Sequence, residues 1–166
     1  MTELAITVIG PDRPGIVAEV SAALAGVGAN LSDSTMTRLR GHFTMTLICT
    51  GADAAEVSAA LEPLEGVLAT VRAVEPSPVA SDGEPYLVSV HGADRLGIVA
   101  AVTREVAAAG GNITDLTTRL TGPLYVLVAE VDLPPGAAGN LSVRLEHAAG
   151  DLGVDVTLRR AEPDVL

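Results

Sequence analysis

The chain has 166 residues and a formal net charge of −11. Hydrophobic residues make up 48% of it, yet Phe43, Tyr86 and Tyr125 are the only aromatics. Every basic residue is arginine, which excludes a lysine Schiff base and a P-loop lysine. Apart from Arg38/Arg40 and Arg159/Arg160 the arginines are scattered and offer no basic stripe to follow a phosphate backbone, so direct nucleic-acid binding is not expected.

The N-terminal run Leu4 to Ile9 alternates apolar residues and predicts a mostly buried strand that stops at Gly10-Pro11. It is too short for a membrane span and lacks a basic leader, so a cytoplasmic protein is expected. A helix follows, with Pro14 in its first turn. Ile16, Val17, Val20, Leu24 and Val27 form its apolar stripe, and Gly26 and Gly28 stop it before Asn30. Residues 31–40 and 43–50 are rich in threonine and aliphatics and predict two strands, with a turn at Arg40-Gly41-His42. Cys49 falls in the second of these strands and reads as a buried residue in a reducing compartment rather than as a nucleophile. A second helix turns Ala54, Val57, Leu61 and Leu64 inward and ends at Gly66, and residues 67–74 supply a fourth strand.

The second half repeats this order. Strands are predicted at 84–91, 112–120, 124–132 and 154–159, and helices at 96–109 and 138–149. The repetition is also literal, because GPDRPGIVAEVSAALAGVGANLSD returns as GADRLGIVAAVTREVAAAGGNITD with about half the positions identical. Each half therefore reads βαββαβ. The fold class is α+β, with two tandem ferredoxin-like domains, each a four-stranded antiparallel sheet carrying two helices on one face. Residues 1–75 form the first, 84–166 the second, and 76–83 an extended linker with prolines around it.

That fold hosts several chemistries. An RNA-recognition module needs stacking aromatics, and a metal chaperone needs paired cysteines where DRPG and DRLG stand. His42, His91 and His147 lie apart from any recognisable nucleophile, so neither a catalytic residue, a metal ligand nor a cofactor is expected.

The loop between first strand and first helix, G-x-D-R-x-G-I-V in both halves, concentrates the chemistry. Gly15 and Gly97 stand where a helix begins and free backbone N–H groups suit a ligand carboxylate. Asn30 and Asn112 follow the helix-ending glycines. Each is either a residue tolerating positive φ or an amide for the polar end of an amino acid. The pairs Asp12-Arg13 and Asp94-Arg95 have a structural alternative as loop ion pairs or helix caps, and Asp33 and Asp115 are expected to be strand residues.

The stretches ITVIGPDRPGIVAEVSAAL and NLSDSTMTRLRGHFTMTLICTG resemble an ACT domain, the regulatory amino-acid-binding module. Two such modules in tandem are most similar to the family of the glycine cleavage system transcriptional repressor. The resemblance implies a ligand held where two ACT sheets pair, by the first loop of one module and the second-strand start of the other. By position, the residues implied are Asp12, Arg13, Pro14, Gly15, Ile16 and Asn30. In the second copy they are Asp94, Arg95, Leu96, Gly97, Ile98 and Asn112, where Leu96 departs from the proline of the pattern. It further implies a small amino acid of glycine or serine size as ligand, a protein partner, and pairing of ACT modules within a chain or in a homo-oligomer.

Overall fold

A computed structural model describes residues 2–78 and 82–162. The chain divides into two compact units, residues 1–78 and 79–166. Of the expected linker, residues 79–81 lie outside the described residues, as do 163–166 at the C-terminus.

The first unit comprises β1 (Glu3–Pro11), α1 (Ile16–Gly26), β2 (Asn30–Leu39), β3 (His42–Thr50), α2 (Ala54–Leu61) and β4 (Leu68–Val74). Its sheet runs β2-β3-β1-β4, antiparallel throughout. The second unit repeats the plan with β5 (Glu84–Ala93), α3 (Ile98–Ala108), β6 (Asn112–Thr121), β7 (Leu124–Leu133), α4 (Ala138–Leu152) and β8 (Asp155–Arg160), in the order β6-β7-β5-β8. The βαββαβ reading of both halves therefore holds.

Period-two alternation places Leu4, Ile6 and Val8 of β1 and Phe43, Met45, Leu47 and Cys49 of β3 on the covered side of the sheet. Helical spacing turns Ile16, Val20 and Leu24 of α1, with Val57 and Leu61 of α2, into the same core. Full burial of each large aliphatic side chain stabilises the fold by about 1.5–3 kcal/mol. The second core is built alike from Val88, Val90, Ile98, Val102, Leu127, Leu141 and their neighbours.

Several boundaries differ from expectation. Pro14 does not sit in the first turn of α1. The helix begins at Ile16, because Gly15 adopts φ 86 and ψ −1, a left-handed conformation that a helical residue cannot take. For the same reason α3 starts at Ile98 rather than Leu96. Val17 leaves the apolar stripe and is exposed. β1 continues through Gly10 to Pro11 instead of stopping there. A side chain at Gly10 would lie 2.6 Å from the carbonyl oxygen of Gly66, so this glycine serves close backbone approach. α2 ends at Leu61, where Pro63 follows within two residues, and 62–66 form turns. His42 belongs to β3, opposite Leu39, which leaves Arg40 and Gly41 as a two-residue hairpin turn with φ of 49 and 82. α4 runs on to Leu152, where Gly153 caps it in the left-handed region.

Candidate functional site

In each unit the loop joining the first strand to the first helix lies at the end of the sheet where β2 and β3, or β6 and β7, make their hairpin. The Asp12 N–H donates to the carbonyl of Gly41 at 2.9 Å, which joins loop to hairpin directly. Arg13 to Ile16 form a tight turn closed by the Ile16 N–H on the Arg13 carbonyl at 3.3 Å. Pro14 stands at its second position and Gly15 at the third, the arrangement of a type II turn. A Cβ on Gly15 or Gly97 would meet nothing within 4 Å. The glycine is required by the positive φ, and the space above the helix start is open.

The first loop binds its own charges. The Asp12 carboxylate lies 3.3 Å from Arg38 on β2, and Arg13 pairs with Glu19 one turn into α1 at 2.5 Å. The hydrogen bond between these two holds the Glu19 carboxyl below its ordinary pKa and raises that of the Arg13 guanidinium. The structural alternative for Asp12-Arg13 as ion pairs therefore takes a definite form, with partners elsewhere in the unit rather than with each other. Neither Gly15 nor Gly97 is accompanied by a side-chain helix cap.

The second loop is different. Asp94 and Arg95 are exposed, and among the described residues they make no ion pair or side-chain hydrogen bond. Leu96 is 101% exposed, in the place of Pro14. Gly97 keeps the left-handed conformation, with φ 91 and ψ 8, and Leu96-Gly97 form a turn before the helix as Pro14-Gly15 do. An open cavity of about 550 Å³ lies here, lined by residues 94–100 and by Tyr125 of β7. This volume falls within the range of small-molecule sites.

Asn30 and Asn112 are the first residues of β2 and β6, exposed and paired across the sheet with Thr50 and Asp132. Neither has positive φ. That role falls to Gly28 and Gly110, so the conformational explanation of the asparagines is overturned. Each asparagine lies beyond the C-terminal end of the helix whose N-terminus carries the loop. Eleven helical residues rise about 16 Å, so loop and asparagine of one unit cannot grip the same small molecule. Asp33 and Asp115 follow β-bulges in the outer strands β2 and β6.

Tyr125 was not identifiable from the loop motif. Its counterpart in the first copy, Phe43, is fully buried, whereas Tyr125 is half-buried and lines the cavity. The signal lay in comparing the copies position by position. Among the described residues no group of three or more His, Cys, Asp or Glu is disposed to hold a metal ion, and no helix is long and apolar enough to cross a membrane.

The sequence profile of the ACT domain matches residues 2–71 and 84–159, both units almost in full. The chain belongs to the ACT domain family. Its tandem arrangement recurs in a solved protein of unknown function from Galdieria sulphuraria, 32% identical, with a TM-score of 0.84 over 97% of this chain and 99% of that one. A structure assigned to a glycine cleavage system transcriptional repressor shares the fold, with a TM-score of 0.68 over 97% of this chain and 98% of that one, at 19% identity. Phosphoserine phosphatase SerB2 of Mycobacterium tuberculosis is 30% identical over 161 residues, covering 92% of this chain; the chain spans 39% of that protein's length.

Proposed function

We propose that this ACT protein is a non-catalytic sensor of a small amino acid that passes its signal to a protein partner. Its output is regulation of gene expression for amino-acid or glycine metabolism, as the likeness to the repressor suggests. The observation that carries this reading is the doubled loop whose left-handed glycine opens a helix beneath free space, with a cavity of small-molecule size at the second copy. A ligand carboxylate suits the loop. The asparagine that would hold its other end lies a helix length away, so one unit by itself does not bring the two together.

Ligand size limits the affinity. Glycine has few atoms, and at about 1.5 kcal/mol for each non-hydrogen atom its dissociation constant is no better than roughly micromolar. This suits a metabolite sensor. In a thermal-shift screen of the purified chain against the proteinogenic amino acids at millimolar concentration, a ligand present at about a hundred times its Kd adds about 2.7 kcal/mol of stability. Glycine or serine is expected to raise Tm by several degrees. A flat screen on folded protein would overturn the sensor reading in favour of a ligand-free assembly module.

A further inference from the structure

We propose that the uncovered face of the first unit's sheet is the surface by which two copies of this chain form a dimer. They meet face to face about a two-fold axis that runs along the strands, between β1 and β3. Edge pairing, by contrast, would lengthen the sheet through β2 or β4 and leave this face open. The inference goes beyond the sensor reading and does not rest on it.

Leu4, Ile6 and Val8 of β1 lie under the helices, so Ala5, Thr7 and Ile9 point to the other side. The register shows what stands beside them. One row across the sheet is entirely threonine, Thr35, Thr46, Thr7 and Thr70, and all are exposed. The next row towards the hairpin is Thr37, Thr44, Ile9 and Leu68, where Ile9 is 44% and Leu68 70% exposed. The row on the other side is Asp33, Ile48, Ala5 and Arg72. In a chain of net charge −11, Asp33 and Arg72 are the only charged residues in these rows.

Those two charges stand on the outer strands, roughly 14 Å apart at a strand spacing of about 4.8 Å, too far to meet within one copy. Neither has an ion pair among the described residues. The two-fold axis exchanges β2 with β4 and β3 with β1 while keeping each row over itself. It sets Asp33 of each copy over Arg72 of the other. It also sets Ile48 over Ala5, and Ile9 and Leu68 over Thr44 and Thr37, so each large aliphatic side chain meets a smaller one. The angle of about 30° at which aligned sheets pack moves the edge residues only a few ångströms, within reach of an arginine side chain. With Leu39 and His42 extending the face at the hairpin, it covers roughly 500 Å² on each copy, which meets the total of about 1,000 Å² that a specific interface needs. The second unit's sheet lacks this pattern. Its matching rows place Asp115 beside Glu130 in one, and Arg119, His91 and Asp155 in another. The same two-fold would press the Glu130 carboxylate onto Leu87, a desolvation that no partner offsets.

The test is sedimentation velocity of the full chain over a wide concentration series, where a monomer–dimer equilibrium is expected. Thr46→Arg places a long cation in the middle of the threonine row. It should weaken dimerisation about tenfold or more with circular dichroism and Tm unchanged. Val128→Arg, at the matching position of the second unit, should leave the dimer intact. Asp33→Arg alone and Arg72→Asp alone set like charges over each other and should each weaken association about tenfold, while the double swap restores it. A chain that stays monomeric throughout, a dimer indifferent to Thr46→Arg, or a double swap no better than either single change overturns the assignment. Each of these results leaves the sensor reading standing.

Discussion

Arg13 and Glu19 show how a single exposed pair is expressed in solution. The guanidinium donates to the carboxylate and holds its pKa below the ordinary glutamate value, which is about 4.3. A carboxyl whose folded pKa is depressed contributes stability above its unfolded value and loses it as pH falls through the folded one. The contribution is therefore complete at neutral pH and disappears only under acid conditions. A carbon-detected NMR titration should place the Glu19 midpoint below the ordinary glutamate range, and Arg13→Gln should return it there; an ordinary midpoint in the wild type would show that the pair does not persist in solution. Cys49 moves the other way. Burial on the covered face of β3 raises its thiol pKa, so at neutral pH the group is protonated and packs as a small apolar side chain.

At the scale of elements, the β2–β3 hairpin turns on Arg40-Gly41, both in the left-handed region that a two-residue type I′ turn demands. Gly41 meets this without strain, but Arg40 at φ 49 does not, since a long side chain there costs about 1–2 kcal/mol relative to a conformation it prefers. Arg40→Asn supplies the residue that best tolerates this geometry and should stabilise the unit by about 0.5–1 kcal/mol in urea unfolding. A loss of stability would mean that Arg40 makes a compensating contact. The same hairpin shows what was legible beforehand. Its strands followed from alternation and threonine content, because sheet pairing expresses a period-two pattern directly. Its turn was placed one residue too long, because positive φ is a property of backbone geometry that the residues Arg40, Gly41 and His42 do not announce. At the loop, the doubled D-R-x-G motif revealed where both turns lie. The separation of Asn30 from Gly15 was hidden, because residues close in a motif end up at opposite ends of an intervening helix. The partners of Asp12 and Arg13 were hidden too, since Arg38 is distant in sequence and meets Asp12 only when β2 folds back beside β1 through β3.

For the whole molecule the governing quantity is the net charge of −11, carried with no buried charged residue among those described. Two opposing effects set the response to salt. The arginine–carboxylate pairs Arg13–Glu19, Arg38–Asp12, Arg144–Glu105 and Arg160–Glu84 occur among the described residues, and screening weakens each. Pairs this exposed contribute little to stability, because water screens them and ordering two long side chains opposes them. Against them stands the mutual repulsion of the excess carboxylates, which acts over the whole surface and penalises the compact state. Raising ionic strength from about 0.01 M to about 0.15 M shortens the screening length from about 30 Å to about 8 Å. At the lower value, charges on opposite sides of a small domain still repel; at the higher one, only near neighbours interact. The local pairs lie within 4 Å and are the last contacts to be screened, so the long-range repulsion is relieved first. Thermal unfolding in a sodium chloride series should therefore show Tm rising by a few degrees up to physiological ionic strength and then levelling off. A falling Tm over the same range would mean that the ion pairs outweigh the net charge, and that Arg13–Glu19 and Arg38–Asp12 contribute more to stability than surface pairs ordinarily do.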